Sequence, residues 1–140
     1  MSSPLKLLAQ DTEDLTVIAA AIQDSVGKIG DIRFDATQRR LTIGLNRYRW
    51  ESDTRERVRC LIEIGSVLGV KSRRLRRTAR DAVVEVLSLD FELDTPPGGS
   101  LTLTYSGGGD LRIAVECIDV ILADISEPWS AKTIPDHDQA

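Results

Sequence analysis

The chain has 140 residues, of which 41% are hydrophobic and 29% charged, and its formal net charge is −4. That length fits one domain able to bury a core. No apolar run approaches the roughly 18 residues of a membrane span, and the opening MSSPLKLLAQDTEDL lacks the basic head and apolar centre of a signal peptide, so the expectation is a cytoplasmic protein without a membrane partner.

Leu5 to Leu8 reads as a short edge strand. Asp11 is placed to cap a helix whose first turn holds Glu13 and Asp14, where the helix dipole favours negative charge. Leu15, Ile18, Ala19, Ile22 and Val26 form one apolar stripe, which predicts a helix from Thr12 to Ser25 with Gly27 as its stop. Ile32 and Phe34, a turn at Asp35 to Gln38, and then Leu41, Ile43 and Leu45 predict a hairpin. Its returning strand ends in Asn46-Arg47-Tyr48-Arg49-Trp50-Glu51, with the two arginines on one face and Tyr48 and Trp50 on the other. After a polar loop, Val58, Cys60, Ile62 and Ile64 predict another strand, and Gly65-Ser66 a bulge or kink before Val67 to Val70. Lys71 to Arg80 has too few apolar residues to bury and reads as a loop or a short exposed helix.

Val84 to Leu93 reads as a strand in which Leu87, Leu89, Phe91 and Leu93 alternate with Ser88, Asp90 and Glu92. Thr95-Pro96-Pro97-Gly98-Gly99 reverses the chain into SLTLTYSGGGDLRIAVE, two alternating arms around a glycine turn. A phase shift after Glu116 predicts a bulge near Cys117 or Ile118 and a last strand ending at Ile125. Together these elements predict an α+β fold: one N-terminal helix packed on a strongly bent, mainly antiparallel sheet or open barrel of about seven strands. Residues 1–131 are expected to form the single domain and residues 132–140 a disordered polar tail.

Residues with reactive chemistry are sparse. Cys60 and Cys117 lie among apolar neighbours in predicted strands and read as small buried hydrophobes. The one histidine, His137, sits in the polar tail, and no spacing resembles a zinc site. No serine or cysteine has a recognisable base partner. The expectation is therefore no catalytic residue, no metal and no cofactor. Gly107-Gly108-Gly109 is followed by Asp110 and a strand, which suits a hairpin turn and not a phosphate loop.

Two stretches are candidate binding sites. Arg47, Tyr48, Arg49 and Trp50, with Arg112, combine residues that fork onto anions with residues that anchor partners. The plain structural reading has Tyr48 and Trp50 closing one end of the core, with both arginines outside. If the arginines face a concavity under the bent sheet, they suit a small anionic ligand. If the aromatic face is open, it suits a protein partner, either another protein or a second copy forming a homodimer. The other stretch is the basic run of Lys71, Arg73, Arg74, Arg76, Arg77 and Arg80. From Arg39 to Arg80 there are thirteen Lys or Arg against four acids, a local charge of +9, while the remainder carries −13. A helical run would align Arg73, Arg76, Arg77 and Arg80 in one stripe for non-specific nucleic-acid contact. The acidic remainder and the overall pI of about 5.0 make a nucleic-acid partner the weaker expectation. A solvated face, or pairing of the run with Glu85, Asp90 and Glu92 on the neighbouring strand, would explain it without a partner.

Five segments in order, Leu5 to Val26, LNRYRWE (Leu45 to Glu51), SVLGVKSR (Ser66 to Arg73), VLSLDFE (Val86 to Glu92) and LRIAVECIDVILADISEPW (Leu111 to Trp129), resemble a small bacterial family, domain of unknown function family 2948. The resemblance spans most of the chain but implies no activity and supplies no catalytic residues. Members of that family are less basic after the SVLGVKSR-like segment, so a function built on Arg74, Arg76, Arg77 and Arg80 would be this protein's own.

Overall fold

The computed structural model describes residues 4–131. Strand β1 (Lys6–Ala9) leads into helix α1 (Thr12–Ile22), with Asp11 at its N-cap accepting a hydrogen bond from the Asp14 N–H at 2.8 Å. The helix stops at Ile22, three residues before the expected end. Val26 and Gly27 instead belong to β2 (Val26–Lys28), whose backbone pairs with Asn46 on one side and Val84 and Glu85 on the other. Gly27 is there because a Cβ would meet the Gly44 carbonyl oxygen at 2.7 Å, so this glycine marks close strand contact and not the expected helix stop.

A 3-10 turn at Ile29–Asp31 precedes β3 (Ile32–Asp35), which forms the expected hairpin with β4 (Arg40–Tyr48). Then follow β5 (Glu56–Ile64), β6 (Val67–Arg73), β7 (Val83–Leu93), β8 (Gly99–Tyr105), β9 (Asp110–Val115), β10 (Val120–Asp124) and β11 (Trp129–Ser130). The described residues thus hold eleven strands rather than about seven. The surplus is short pieces such as β2 and β11, held by a neighbour's backbone groups and too brief to show a period of their own.

All strand pairs are antiparallel, in the order β1-β10-β5-β4-β2-β7-β8-β9-β6, with β3 also on β4 and β11 also on β5. In that order β5 and β6 are far apart, yet only Gly65 and Ser66 join them. Two residues span less than about 10 Å, so the far edge of the sheet must curl back on its middle. Ser66 turns the corner with φ 55°, and the Val67 N–H donates to the Arg39 carbonyl at 2.9 Å. The α+β expectation of one helix on a strongly bent sheet therefore holds.

The concave side carries the core: Leu41, Ile43 and Leu45 of β4, Cys60, Ile62 and Ile64 of β5, Leu101, Leu103 and Tyr105 of β8, Leu111, Ile113 and Val115 of β9, and Val120 and Leu122 of β10. Helix α1 covers it with Leu15, Ile18 and Ile22, each worth roughly 1.5–3 kcal/mol on burial. Two predicted patterns shift. A register change between Val86 and Ser88 turns Leu87 outward, and Leu93 also faces solvent, while Val86 and Leu89 are buried. After β9 the chain breaks fully at residues 116–119, because β10 pairs with β1 and β5 and not with β9. Cys117 lies in that break and not in a strand, and both cysteines are free thiols. The expected tail at 132–140 lies outside the described residues. No helix among them is long and apolar enough to cross a membrane.

Candidate functional site

On β4 the core-facing residues are Leu41, Ile43 and Leu45, and strand alternation continues that face to Arg47, with Arg49 just past the strand's end. Arg47 is fully buried, the reverse of its expected place outside the core. Its burial is tolerated because all five N–H groups are used. Nε and one Nη2 bond reach the Asp124 carboxylate, each at 2.8 Å; Nη1 and the second Nη2 bond reach Glu51 at 2.9 and 2.7 Å; and Nη1 also donates to the Tyr48 carbonyl at 3.4 Å. Two bidentate forks thus close on one guanidinium. Asp124 reaches it from the concave face of β10, one strand beyond β5, and its side chain is only 4% exposed. The same carboxylate accepts the Leu5 N–H at 3.0 Å, which ties the chain entering β1 to this cluster.

Burial alone would depress the Arg47 pKa, but the hydrogen bonds and charges of Glu51 and Asp124 outweigh it and raise the pKa further. Reciprocally, the Arg47 hydrogen bonds hold Glu51 below the ordinary carboxylate range against the opposing effect of burial. Arg49, also buried, bonds Glu56 at 2.5 Å and lies 3.9 Å from Glu51. It lines a surface depression of about 400 Å³ together with Pro4, Val58, Asp124 and Pro128, so of the three arginines expected at a concavity it does line one. Its charge there is already met by carboxylates. Arg112 is exposed on β9, in register with Lys71 and Thr102, and takes no part in this cluster.

The opposite face of β4 carries Tyr48. Its ring centroid lies 4.6 Å from that of Trp50, and the Arg57 guanidinium sits 6.0 Å from the Tyr48 centroid. Directly paired antiparallel residues share a face, and Arg57 pairs with Tyr48 on one side and Trp129 on the other. Tyr48 is buried beneath this layer, whereas Trp50 and Trp129 are 38% and 40% exposed. The Trp50 Nε1 donates to the Gln23 carbonyl at the end of α1.

The basic run does not form the helical stripe. Lys71 and Arg73 belong to β6, and residues 74–82 make successive turns. Nor does it pair with Glu85, Asp90 or Glu92, because β6 borders β9 and not β7. Arg73 pairs with Asp110 of β9 at 2.7 Å. The turns are fixed by backbone bonds from the Gly30 N–H to the Arg80 carbonyl and from the Ile29 N–H to the Ala82 carbonyl.

Sequence reasoning missed Asp124, Glu51, Glu56, Arg57 and Trp129 as partners in these clusters. The parity of β4 was the available signal for Arg47, since a charged residue in phase with a core stripe requires a buried counter-charge.

A family model described as "Protein of unknown function (DUF2948)" matches residues 5–137. The chain belongs to that family. The match covers every element of the DUF2948 fold described above, including both faces of the β4 end and the basic turns. No curated protein and no solved structure matches the chain. Among the described residues of this DUF2948 protein, no group of three or more His, Cys, Asp or Glu is placed to hold a metal ion.

Proposed function

We propose that the protein is a cytoplasmic, non-enzymatic interaction domain whose partner is another protein, a second copy of the chain being the first candidate. The observation that carries this reading is the gathering of Tyr48, Trp50, Arg57 and Trp129 on the outer face of the sheet. Both tryptophans of the chain are there, each more than a third exposed. Trp, Tyr and Arg are the residues that most often dominate binding energy at protein interfaces. The Arg47 cluster behind this face holds it rigid, which lowers the ordering cost of association. Two free cysteines are in keeping with a reducing compartment.

The test compares the full chain with Trp50→Ala and Trp129→Ala by sedimentation velocity over a wide concentration range, and in affinity capture from native lysate. Self-association, or retention of a defined protein, should be present in the wild type and lost in both variants. A wild type that stays monomeric and retains the same proteins as the variants would overturn the reading.

A further inference from the structure

The basic turns border a cavity that the protein-partner reading does not use. On β3, Phe34 pairs with Leu41 and so faces the concave side of the sheet, yet it is 42% exposed. The reason is a gap between the β3–β4 hairpin and the β6–β9 edge, with a volume of about 500 Å³. That lies within the roughly 300–1,000 Å³ of small-molecule sites. Its inner wall is apolar, made by Leu41, Leu111, Ile32, Val70 and Leu75, with Phe34 at the margin. The polar part of the lining comes from the basic segment: Arg77, Arg80, Thr78 and Ser72.

Arg77 forms no hydrogen bond or ion pair within the described residues, and Arg80 shares its guanidinium with the Gly30 carbonyl at 3.4 Å. An apolar wall beside one unengaged and one half-engaged guanidinium matches a ligand of defined chemistry. We infer that this cavity binds a small amphiphilic carboxylate, with its acyl or aryl body against Leu41, Val70 and Leu111 and its head on Arg77 and Arg80. A singly charged head suits this count of available donors, and the planar fork of arginine suits a carboxylate. The backbone bonds from Gly30 and Ile29 hold the turns in place before any ligand arrives.

The experiment titrates the full chain with octanoate, 1-octanol and acetate by calorimetry, alongside an Arg77→Gln/Arg80→Gln variant. Octanoate should bind about tenfold or more tightly than either comparator, and the variant should lose that advantage while binding octanol as the wild type does. Octanoate should shift the amide resonances of Phe34, Val70, Leu75 and Leu111. Equal binding of octanoate and octanol, no saturable octanoate binding, an unaffected variant, or shifts confined to other residues would each overturn the inference.

Discussion

Replacing Arg47 with methionine is the most informative single perturbation of this fold. The side chain is fully buried, and its removal leaves the Asp124 carboxylate, 4% exposed, with the Leu5 N–H as its remaining donor among the described residues. Removing one member of a buried ion pair costs about 3–5 kcal/mol, because the other charge stays behind uncompensated. For a chain of this size that corresponds to a fall in melting temperature of roughly 10–20 °C. The double variant Arg47→Met/Asp124→Leu removes both buried charges, and Glu51, 41% exposed at its side chain, can turn to water. It should recover to within about 1–2 kcal/mol of wild type. Urea unfolding followed by circular dichroism, with m-values checked for two-state behaviour, measures both. A loss below about 1 kcal/mol in the single variant, or a double variant no more stable than the single, would refute the account of Arg47 as a sealed structural charge.

Acid should weaken the same cluster: the folded pKa of Glu51 lies below its unfolded value of about 4.3, so its contribution is present above that value and is lost as pH falls through the folded pKa. Stability measured from pH 7 to pH 3 should decline over that interval less steeply in Glu51→Gln than in wild type. Burial pushes the Cys60 thiol up to about 12, so a thiol reagent at neutral pH should modify the half-buried Cys117 in the native protein and reach Cys60 only after unfolding. Gly27→Ala should cost about 1–3 kcal/mol, since its Cβ would press on the Gly44 carbonyl, whereas Gly69→Ala, with open space around it, should be neutral or slightly stabilising in the same unfolding assay. Duplex DNA should bind no tighter than roughly 10⁻⁴–10⁻⁶ M at physiological salt; submicromolar anisotropy titrations abolished by Arg76→Glu/Arg77→Glu would contradict that.

The helix start, the β3–β4 and β8–β9 hairpins and the kink at Ser66 were legible because each rests on local chemistry: a capping aspartate, period-two alternation, and residues suited to a turn. Strand neighbours were not, because adjacency in the sheet is set by packing across the whole chain. That is why one plain reading of the basic run sets it beside the acids of β7, when the strand that begins it, β6, borders β9. In the RYRW stretch the plain reading with both arginines outside fails, since Arg47 and Arg49 are buried, while its placement of Tyr48 in the interior holds. Arginine was treated as a solvent residue even though its position continued the Leu41-Ile43-Leu45 stripe. The missing information was Asp124, which lies 77 positions away in sequence. The cavity beside Arg77 was equally hidden, since it is a gap between two distant hairpins.

The separation between Arg47 and Asp124 also bears on how the chain is made. At translation rates of about 5–20 residues per second, Arg47 leaves the synthesis site about 4–15 s before its buried counter-ion. Strand β1, whose partner is β10, waits still longer. During that interval Glu51 is the carboxylate at hand for Arg47, and the two guanidinium N–H groups that later reach Asp124 still need water, so the end of β4 stays hydrated. The hydrogen-bond set of Arg47 is therefore completed only when β10 emerges with Asp124. A chain halted just before Val120 would leave β1 and one edge of β5 without the strand that joins them, and unpaired strand edges of that kind make an incomplete chain prone to aggregate.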